Sequence, residues 1–322
     1  DYLILLNIFR DQLDRYGEVK TIVKKWADAI RSLLPKTKLI LNADDPQIAY
    51  LGFNKSLASL GSDTKQPRVL NRSLTSGFYF GLSDKKFKIN TNQHAVDSTY
   101  CPNCNSKLSY NTIYYSHLGD WKCKRCKLKR PDIHLSNIEY YPISGTYNRY
   151  NTLAAVLLGK QIGIEQKNIN SALHEFIPAF GRQEILKVDG KKVQIFLSKN
   201  PTSFNESLRT IANLKAQNVL FVLNDRIPDG RDVSWIWDVD FENYIYKFKN
   251  IVISGDRAYD MGLRIKYTQP IIHDSLFIIQ ENLRRAIALS LAKTPKAETF
   301  YILPTYSAML AVRKILTGKR IL

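Results

Sequence analysis

The chain has 322 residues, 44% of them hydrophobic, enough to bury a full core and to form two domains. Its 47 Lys and Arg against 29 Asp and Glu give a formal charge of +18, which favours acidic partners such as nucleic acid, an anionic membrane face or phosphorylated substrates. No run reaches the roughly 18 apolar residues of a membrane span and no signal peptide opens the chain, so the sequence reads as cytoplasmic, with its lysines scattered rather than gathered into a dense basic block.

The chain opens inside an apolar stretch, Tyr2-Leu3-Ile4-Leu5-Leu6. Residues 3–6 are predicted as a buried strand and 7–17 as the loop at its carboxyl end, where α/β proteins place ligands. A helix is predicted over 19–34, with Ile22, Val23, Trp26, Ala27, Ile30 and Leu33 along one face. Residues 38–41 read as the next strand, ending in Asn42-Ala43-Asp44-Asp45-Pro46. Two acids there either order a ribose or a metal, or cap the helix that follows. Short strands and turns continue over 69–80. A Gly-x-x-Gly-Lys-Thr loop, whose backbone amides hold phosphates, is absent from the sequence, as is an initiator Met. The expectation is therefore of a chain without its N-terminal portion, which does not bind ATP normally by itself.

The sharpest local signal is Cys101-Pro-Asn-Cys104, then eighteen residues, then Cys123-Lys-Arg-Cys126. Each Cys-x-x-Cys turn aims two thiolates inward, and two such turns supply the four soft ligands of a closed tetrahedral zinc site. With four sulfurs bound, no coordination position is left for water, so the metal is expected to be structural. His94, His117 and His134 flank the cluster as surplus ligands. Four Cys in two close pairs suit metal better than disulfides in a reducing compartment. Tyr110, Tyr114, Tyr115 and Trp121 are either the hairpin's own packing or a stacking platform for nucleic acid.

Gly145 and the apolar run over 153–158 predict a buried helix whose entry is 146–151. Asn148 and Asn151, three apart, then share one face near its electropositive end, where they either bind a nucleotide or serve as cap and solvated side chain. After Arg182 the α/β pattern restarts, with strands over 193–197, 219–223, 251–253, 271–272 and 300–303. Helices are predicted over 201–216, 259–265 and 276–292, with another at the end of the chain, and the alternation implies a mostly parallel sheet with right-handed crossovers. The segment 224–240 combines turn formers, several Asp and the rings of Trp235 and Trp237, so it is either tucked in or covered by a partner.

Gly145-x-x-Asn148-x-x-Asn151-x-x-Ala154-Ala155 followed by Gly181-Arg182-x-Glu184 resembles the end of the central ATPase domain of the Mur ligases, which join amino acids to peptidoglycan precursors. Asn7-Ile8-x-x-Asp11-Gln12-Leu13-Asp14 and Asn42-x-Asp44-Asp45-Pro46 are similar to recurring phrases of that family, with Gln12 where the ligases have a metal-binding His. Trp26 stands where many of them carry a carbamylated Lys. Lys199-Asn200-Pro201 resembles the start of their C-terminal domain, with Phe196 at a position that is Asp in many ligases. The resemblance implies ATP and Mg2+ as substrate and cofactor, Asn151 at the adenine, Arg182 near the nucleotide, and Asn148 and Asp44 as further ATP-site candidates. The fold it implies is α/β. An incomplete Mur-ligase-like central ATPase domain spans 1–182, with a four-cysteine zinc-ribbon insertion over 99–130, and a C-terminal Rossmann-like α/β domain spans 183–322.

The four-cysteine insertion, Phe9-Arg10-Asp11-Gln12-Leu13-Asp14-Arg15-Tyr16-Gly17 and Asp229-Gly230-Arg231-Asp232-x-Ser234-Trp235 narrow the likeness to the MurT family, the Mur-ligase-like subunits of lipid II isoglutaminyl synthase. That resemblance implies a GatD-type class I glutaminase as partner and lipid II as substrate, with the α-carboxylate of D-glutamate activated by ATP and amidated to D-isoglutamine. It also maps onto Asp232 the acid that completes the glutaminase Cys-His pair across the interface. Phosphorylation gives a carboxylate a leaving group other than oxide, and a low-water enclosure protects the acyl phosphate. Two other readings stand beside this one: a zinc-ribbon protein binding nucleic acid, and a Mur ligase adding an amino acid. Under the resemblance no nucleic acid is expected, and peripheral contact with the inner membrane face is compatible with the charge.

Overall fold

The computed structural model describes residues 1–58, 77–89, 93–94, 96–268 and 277–319. The strand pattern expected over 69–76 and the strand at Ile271 and Ile272 lie outside the described residues. The chain divides into two compact units, Asp1–Phe176 and Ile177–Leu322.

In the first unit β1 (Tyr2–Leu5), β2 (Lys38–Asn42) and β3 (Gly77–Phe80) form a parallel sheet in that order. The short α1 (Leu13–Tyr16) and the longer α2 (Val19–Arg31) connect β1 to β2, and α3 (Pro46–Ala58) follows β2. Successive right-handed crossovers in one direction keep α2 and α3 on one face. There Leu39, Leu41 and Tyr79 pack with Ala27, Ile30, Ile48 and Leu51. One residue along, Ile40 and Phe80 point the other way, onto Tyr150, Leu153 and Leu157. α2 stops at Arg31, three residues short of Leu34, because Pro35 disfavours helical backbone in the residue before it. A two-stranded hairpin, β4 (Leu108–Tyr115) and β5 (Leu118–Cys123), precedes α4 (Thr146–Gln161) and α5 (Gln166–His174).

Among the described residues the second unit holds six strands: β6 (Arg182–Val188), β7 (Lys191–Phe196), β8 (Asn218–Val222), β9 (Asn250–Ser254), β10 (Ile278–Ile279) and β11 (Thr299–Pro304). They lie in the order β10-β9-β8-β11-β7-β6, parallel throughout except for β6. Moving from β7 to β8, β9 and β10 runs one way along the sheet; the step from β10 to β11 reverses it. With right-handed crossovers the connecting helices must therefore fall on opposite faces. The packing agrees: α6 (Pro201–Asn213) and α7 (Ala258–Lys266) meet Val219, Phe221, Ile251 and Ile253 on one face. α8 (Leu283–Lys293) and α9 (Tyr306–Thr317) meet Leu220, Val222, Val252 and Ile302 on the other.

Two elements of the second unit also depart from the sequence expectation. β6 is an antiparallel edge strand joined to β7 through Asp189 and Gly190, both at positive φ, as a type I′ hairpin turn requires. Arg182, expected to close the first domain, thus opens the sheet of the second unit. The helix expected from 276 begins at Leu283, because Asn282 caps it, accepting from Arg285 N at 3.0 Å, while Ile278 and Ile279 pair with β9 as an edge strand. None of the described helices is long and apolar enough to cross a membrane.

Candidate functional site

The four cysteines converge: one sulfur from each lies within 4.8 Å of all the others. Cys101 Sγ is 3.6 Å from Cys126 Sγ, and Cys104 Sγ is 3.5 Å from Cys123 Sγ, close to the roughly 3.8 Å edge of a sulfur tetrahedron around zinc. Each Cys-x-x-Cys is built into the same tight turn. In the first, Asn105 N donates to Cys101 O and Cys101 N to Ser106 O; in the second, Lys127 N donates to Cys123 O and Cys123 N to Leu128 O. Asn105 and Lys127 take the left-handed backbone that such a turn needs, at φ 57 and 62. Burial pushes the Cys101 thiol up to about 12, whereas hydrogen bonding to Ser106 brings Cys104 down to about 6. The donor set, two of its sulfurs buried, fits a soft divalent metal held in a closed site.

The cysteine hairpin is seated on the carboxyl end of β2. Trp121 is fully buried, and its Nε1 donates to Ala43 O at 2.9 Å; Gly119 N donates to Asp44 O at 3.0 Å. Arg130 Nε lies 2.9 Å from Asp44 Oδ1 as an ion pair, and His117 Nε2 lies 3.3 Å from Asp45 Oδ2. Tyr114, Tyr115 and Trp121 are buried, and the half-buried Tyr110 donates through Oη to Ser98 O at 3.1 Å, so these hairpin aromatics serve its packing. Asp45 caps α3, accepting from Gln47 N at 2.9 Å and Ile48 N at 3.2 Å. Asp44 is wholly buried; its Oδ2 accepts from Leu82 N at 2.9 Å and Tyr150 Oη at 2.5 Å. Burial raises its carboxyl from the ordinary 3.8 to about 6, against the pull of Arg130, Leu82 N–H and Tyr150. Asp44 therefore joins β2, α4 and the hairpin from inside.

Asn148 and Asn151 do share a face of α4, just beyond Gly145, whose φ of 95 favours glycine. Asn148 is buried and donates through Nδ2 to Ser144 O at 2.6 Å, and its Oδ1 accepts from Asn151 Nδ2 at 3.3 Å. Asn151 remains exposed, so the inner carboxamide fixes the outer one, which is the one able to meet a ligand. In the loop after β1, Arg10 is bound through N and Nε to Asp97 at 2.9 and 2.6 Å. That pair flanks a cleft of about 970 Å³ lined also by Lys20, Lys24, Ser98 and Asn103, with the first cysteine turn as one wall.

In the second unit the loop after β8 is pinned at both ends. Asn224 N donates to Thr305 Oγ1 and its Oδ1 accepts from Asp256 N, each at 3.0 Å. Asp229, buried, accepts from Ser307 N at 2.7 Å, and Asp240 exchanges two 2.8 Å hydrogen bonds with Asn205. Asp232 stands exposed between these anchors, its Oδ1 accepting from Ser234 N at 2.8 Å. Trp235 packs partly against the core, while Trp237 is 49% exposed beside Tyr267 and Arg264. Arg182 is exposed, and Glu184 of the same motif binds Gly181 N and Arg313. The anchors Asp229, Ser307, Asn205 and Asp240 were invisible to sequence reasoning because each pair joins elements distant in sequence. Lys122 to Lys129, by contrast, form a local basic run, against the scattered lysines expected of the chain as a whole.

Two solved structures share this architecture across nearly the whole chain. A pseudomurein peptide ligase type C from Methanothermus fervidus superposes at TM-score 0.67 and 20% identity, covering 98% of this chain and 63% of that one. MurF from Acinetobacter baumannii superposes at 0.56 and 15% identity, covering 99% and 60%. The molecule therefore has the α/β fold of the Mur ligases. Residues 197–309 match the family described as MurT ligase C-terminal. Lipid II isoglutaminyl synthase (glutamine-hydrolyzing) subunit MurT of Staphylococcus aureus strain COL is 31% identical over 95% of this chain, which spans 68% of that relative's length. The chain belongs to the MurT family.

Proposed function

We propose that the protein acts as the ligase subunit of a glutamine-dependent amidating enzyme. It uses ATP and Mg2+ to activate the α-carboxylate of D-glutamate in the lipid II stem peptide, and ammonia from a GatD-type class I glutaminase converts it to D-isoglutamine. The observation that carries this reading is the 31% identity, over 95% of the chain, to a lipid II isoglutaminyl synthase subunit. Two features support it. All four cysteines of this sequence lie in one cluster, which leaves none of them for the thiol nucleophile of glutamine hydrolysis, in keeping with a separate glutaminase. Asp232 offers an exposed carboxylate on a loop held at both ends, suited to orienting a partner's catalytic His and stabilising its charged form.

On this reading Asn151, oriented by Asn148, and Arg182 contact the nucleotide, and Asp44 is structural. ATP supplies the phosphoryl group that turns a carboxylate oxygen into a leaving group, with Mg2+ neutralising phosphate charge. Cys101, Cys104, Cys123 and Cys126 hold a structural zinc ion. The test uses the full-length protein co-expressed with the glutaminase and follows lipid II amidation by mass. Wild type is expected to amidate with glutamine or with ammonium. Asp232→Asn is expected to lose glutamine-driven turnover by roughly 10²- to 10⁴-fold while keeping ammonium-driven turnover. Undiminished glutamine hydrolysis in that variant removes the assignment of Asp232; unchanged glutamate with both nitrogen sources overturns the function.

A further inference from the structure

The second cysteine turn carries a concentration of charge that neither the metal cluster nor the ligase reading uses. Lys122, Lys124, Arg125, Lys127 and Lys129, five cations within eight residues, are all exposed. Arg130, next in the chain, is different: it turns inward onto Asp44. None of the five makes an ion pair among the described residues. The nearest acid before them, Asp120, is hydrogen-bonded to Asn111 at 2.9 Å.

Their presentation is fixed rather than floppy. Cys123 N donates to Leu128 O at 2.7 Å, Lys127 N to Cys123 O at 3.1 Å, and Lys122 and Lys129 face each other in an antiparallel bridge. Cys123 and Cys126 alternate with these cations along the chain, and their sulfurs meet those of Cys101 and Cys104. Like charges held this close repel, and a fold that keeps them unpaired gains from an anionic counter-surface. Which surface is decided by what accompanies the charge. Single-stranded nucleic acid is bound by cationic grooves with aromatic rings for the bases, but Tyr114, Tyr115 and Trp121 are buried and the half-buried Tyr110 is tied through Oη to Ser98 O. No apolar side chain projects from the turn either, since Leu128 is buried, so insertion into a hydrocarbon layer is not its mode. A rigid polybasic tip without rings or apolar anchors matches the headgroup plane of an anionic bilayer.

We propose that the second cysteine turn docks the protein reversibly on an anionic lipid surface. This inference rests on the proposed function, because a lipid-linked substrate is what places such a surface beside the enzyme. The attraction extends over about 8 Å at physiological ionic strength and is therefore strongly salt-dependent. Membrane recruitment concentrates the enzyme where its substrate lies while leaving it free to dissociate.

The test measures co-sedimentation of the full-length protein with phosphatidylcholine vesicles with and without phosphatidylglycerol, and with duplex and single-stranded RNA. The turn variant replaces Lys122, Lys124, Arg125, Lys127 and Lys129 by Gln; a control replaces the exposed Lys187, Lys192, Lys215, Lys247 and Lys249 of the second unit. Both lose five charges. A milder variant, Lys124→Gln with Arg125→Gln, guards against misfolding, which circular dichroism monitors. Expected is binding to phosphatidylglycerol vesicles that the turn variant loses by at least about tenfold, the milder one in part, and the control hardly at all. Equal losses in turn variant and control, or retained binding in the turn variant, overturn the proposal, as does tighter binding to RNA that the same variant abolishes. Vesicle binding without lipid II amidation by the assembled pair would sink the functional reading and leave the docking surface standing.

Discussion

Both units bring loops to the carboxyl edge of a parallel sheet, and they fix those loops by different physics. In the first, the end of β2 is covered by a hairpin whose shape depends on four converging sulfurs and on the buried Asp44 and Trp121. In the second, the loop bearing Asp232 is held by ordinary hydrogen bonds to helices and loops of its own unit: Asn224 to Thr305 and Asp256, Asp229 to Ser307, Asp240 to Asn205. A sulfur cluster organises a short segment that has too little apolar surface to fold alone, at the cost of dependence on a metal. A network of buried carboxylates and amides needs no ion, but each missing partner strands a polar group.

The sharpest way to break this contrast is to take the metal away. Chelation, or the double variant Cys101→Ser with Cys123→Ser, is expected to remove on the order of 10 kcal/mol of zinc binding from the first unit. Calorimetry should then show the transition of Asp1–Phe176 lost or greatly lowered and that of Ile177–Leu322 unmoved. Equal shifts in both units would erase the distinction.

A second way is pH. Folding raises the Asp44 carboxyl from 3.8 to about 6, so its protonated form is favoured in the folded chain. Its contribution is full below pH 4 and is lost as pH rises through about 6, a change of about 3 kcal/mol over that window. Asp44→Asn cannot titrate. The stability of wild type relative to this variant should fall by about that amount between pH 4 and pH 7, whereas a flat difference would show that Asp44 keeps an ordinary acidity. Taking the difference cancels the acid sensitivity of the cysteine cluster.

The smallest effect sharpens the second half of the comparison. Asp229→Asn is expected to cost about 2 kcal/mol, by weakening its hold on the Ser307 backbone. Hydrogen exchange should quicken over 224–232 with the strands still protected, and glutamine-driven turnover should fall more than ammonium-driven turnover. Unchanged exchange there would mean that other contacts set the loop.

What the sequence revealed divides along the same line. The four-cysteine cluster was legible because its geometry is written in two local spacings, and the alternating strands because burial on both faces leaves an apolar run. Gly145, Asn148 and Asn151 could be placed on one helix face from spacing alone. The bond from Tyr150 to Asp44 could not be read, because the two lie 106 residues apart and burial is a property of the fold. The same holds for Asp45 and His117, 72 residues apart. β6 left a signal in Asp189-Gly190 that was passed over, and Asn282 announced a helix start that a continuous apolar reading ran across.

Gly119 shows what this implies for moving the hairpin into another protein. A Cβ at that position would run into the Thr112 carbonyl oxygen, and the Gly119 amide is committed to Asp44 O. A graft of residues 99–130 onto an unrelated scaffold would carry His117, Gly119, Trp121 and Arg130 as plugs but leave their sockets, Ala43, Asp44 and Asp45, behind. The transplantable module is therefore discontinuous, and a chimaera should accept the hairpin only when the tail of β2 travels with it.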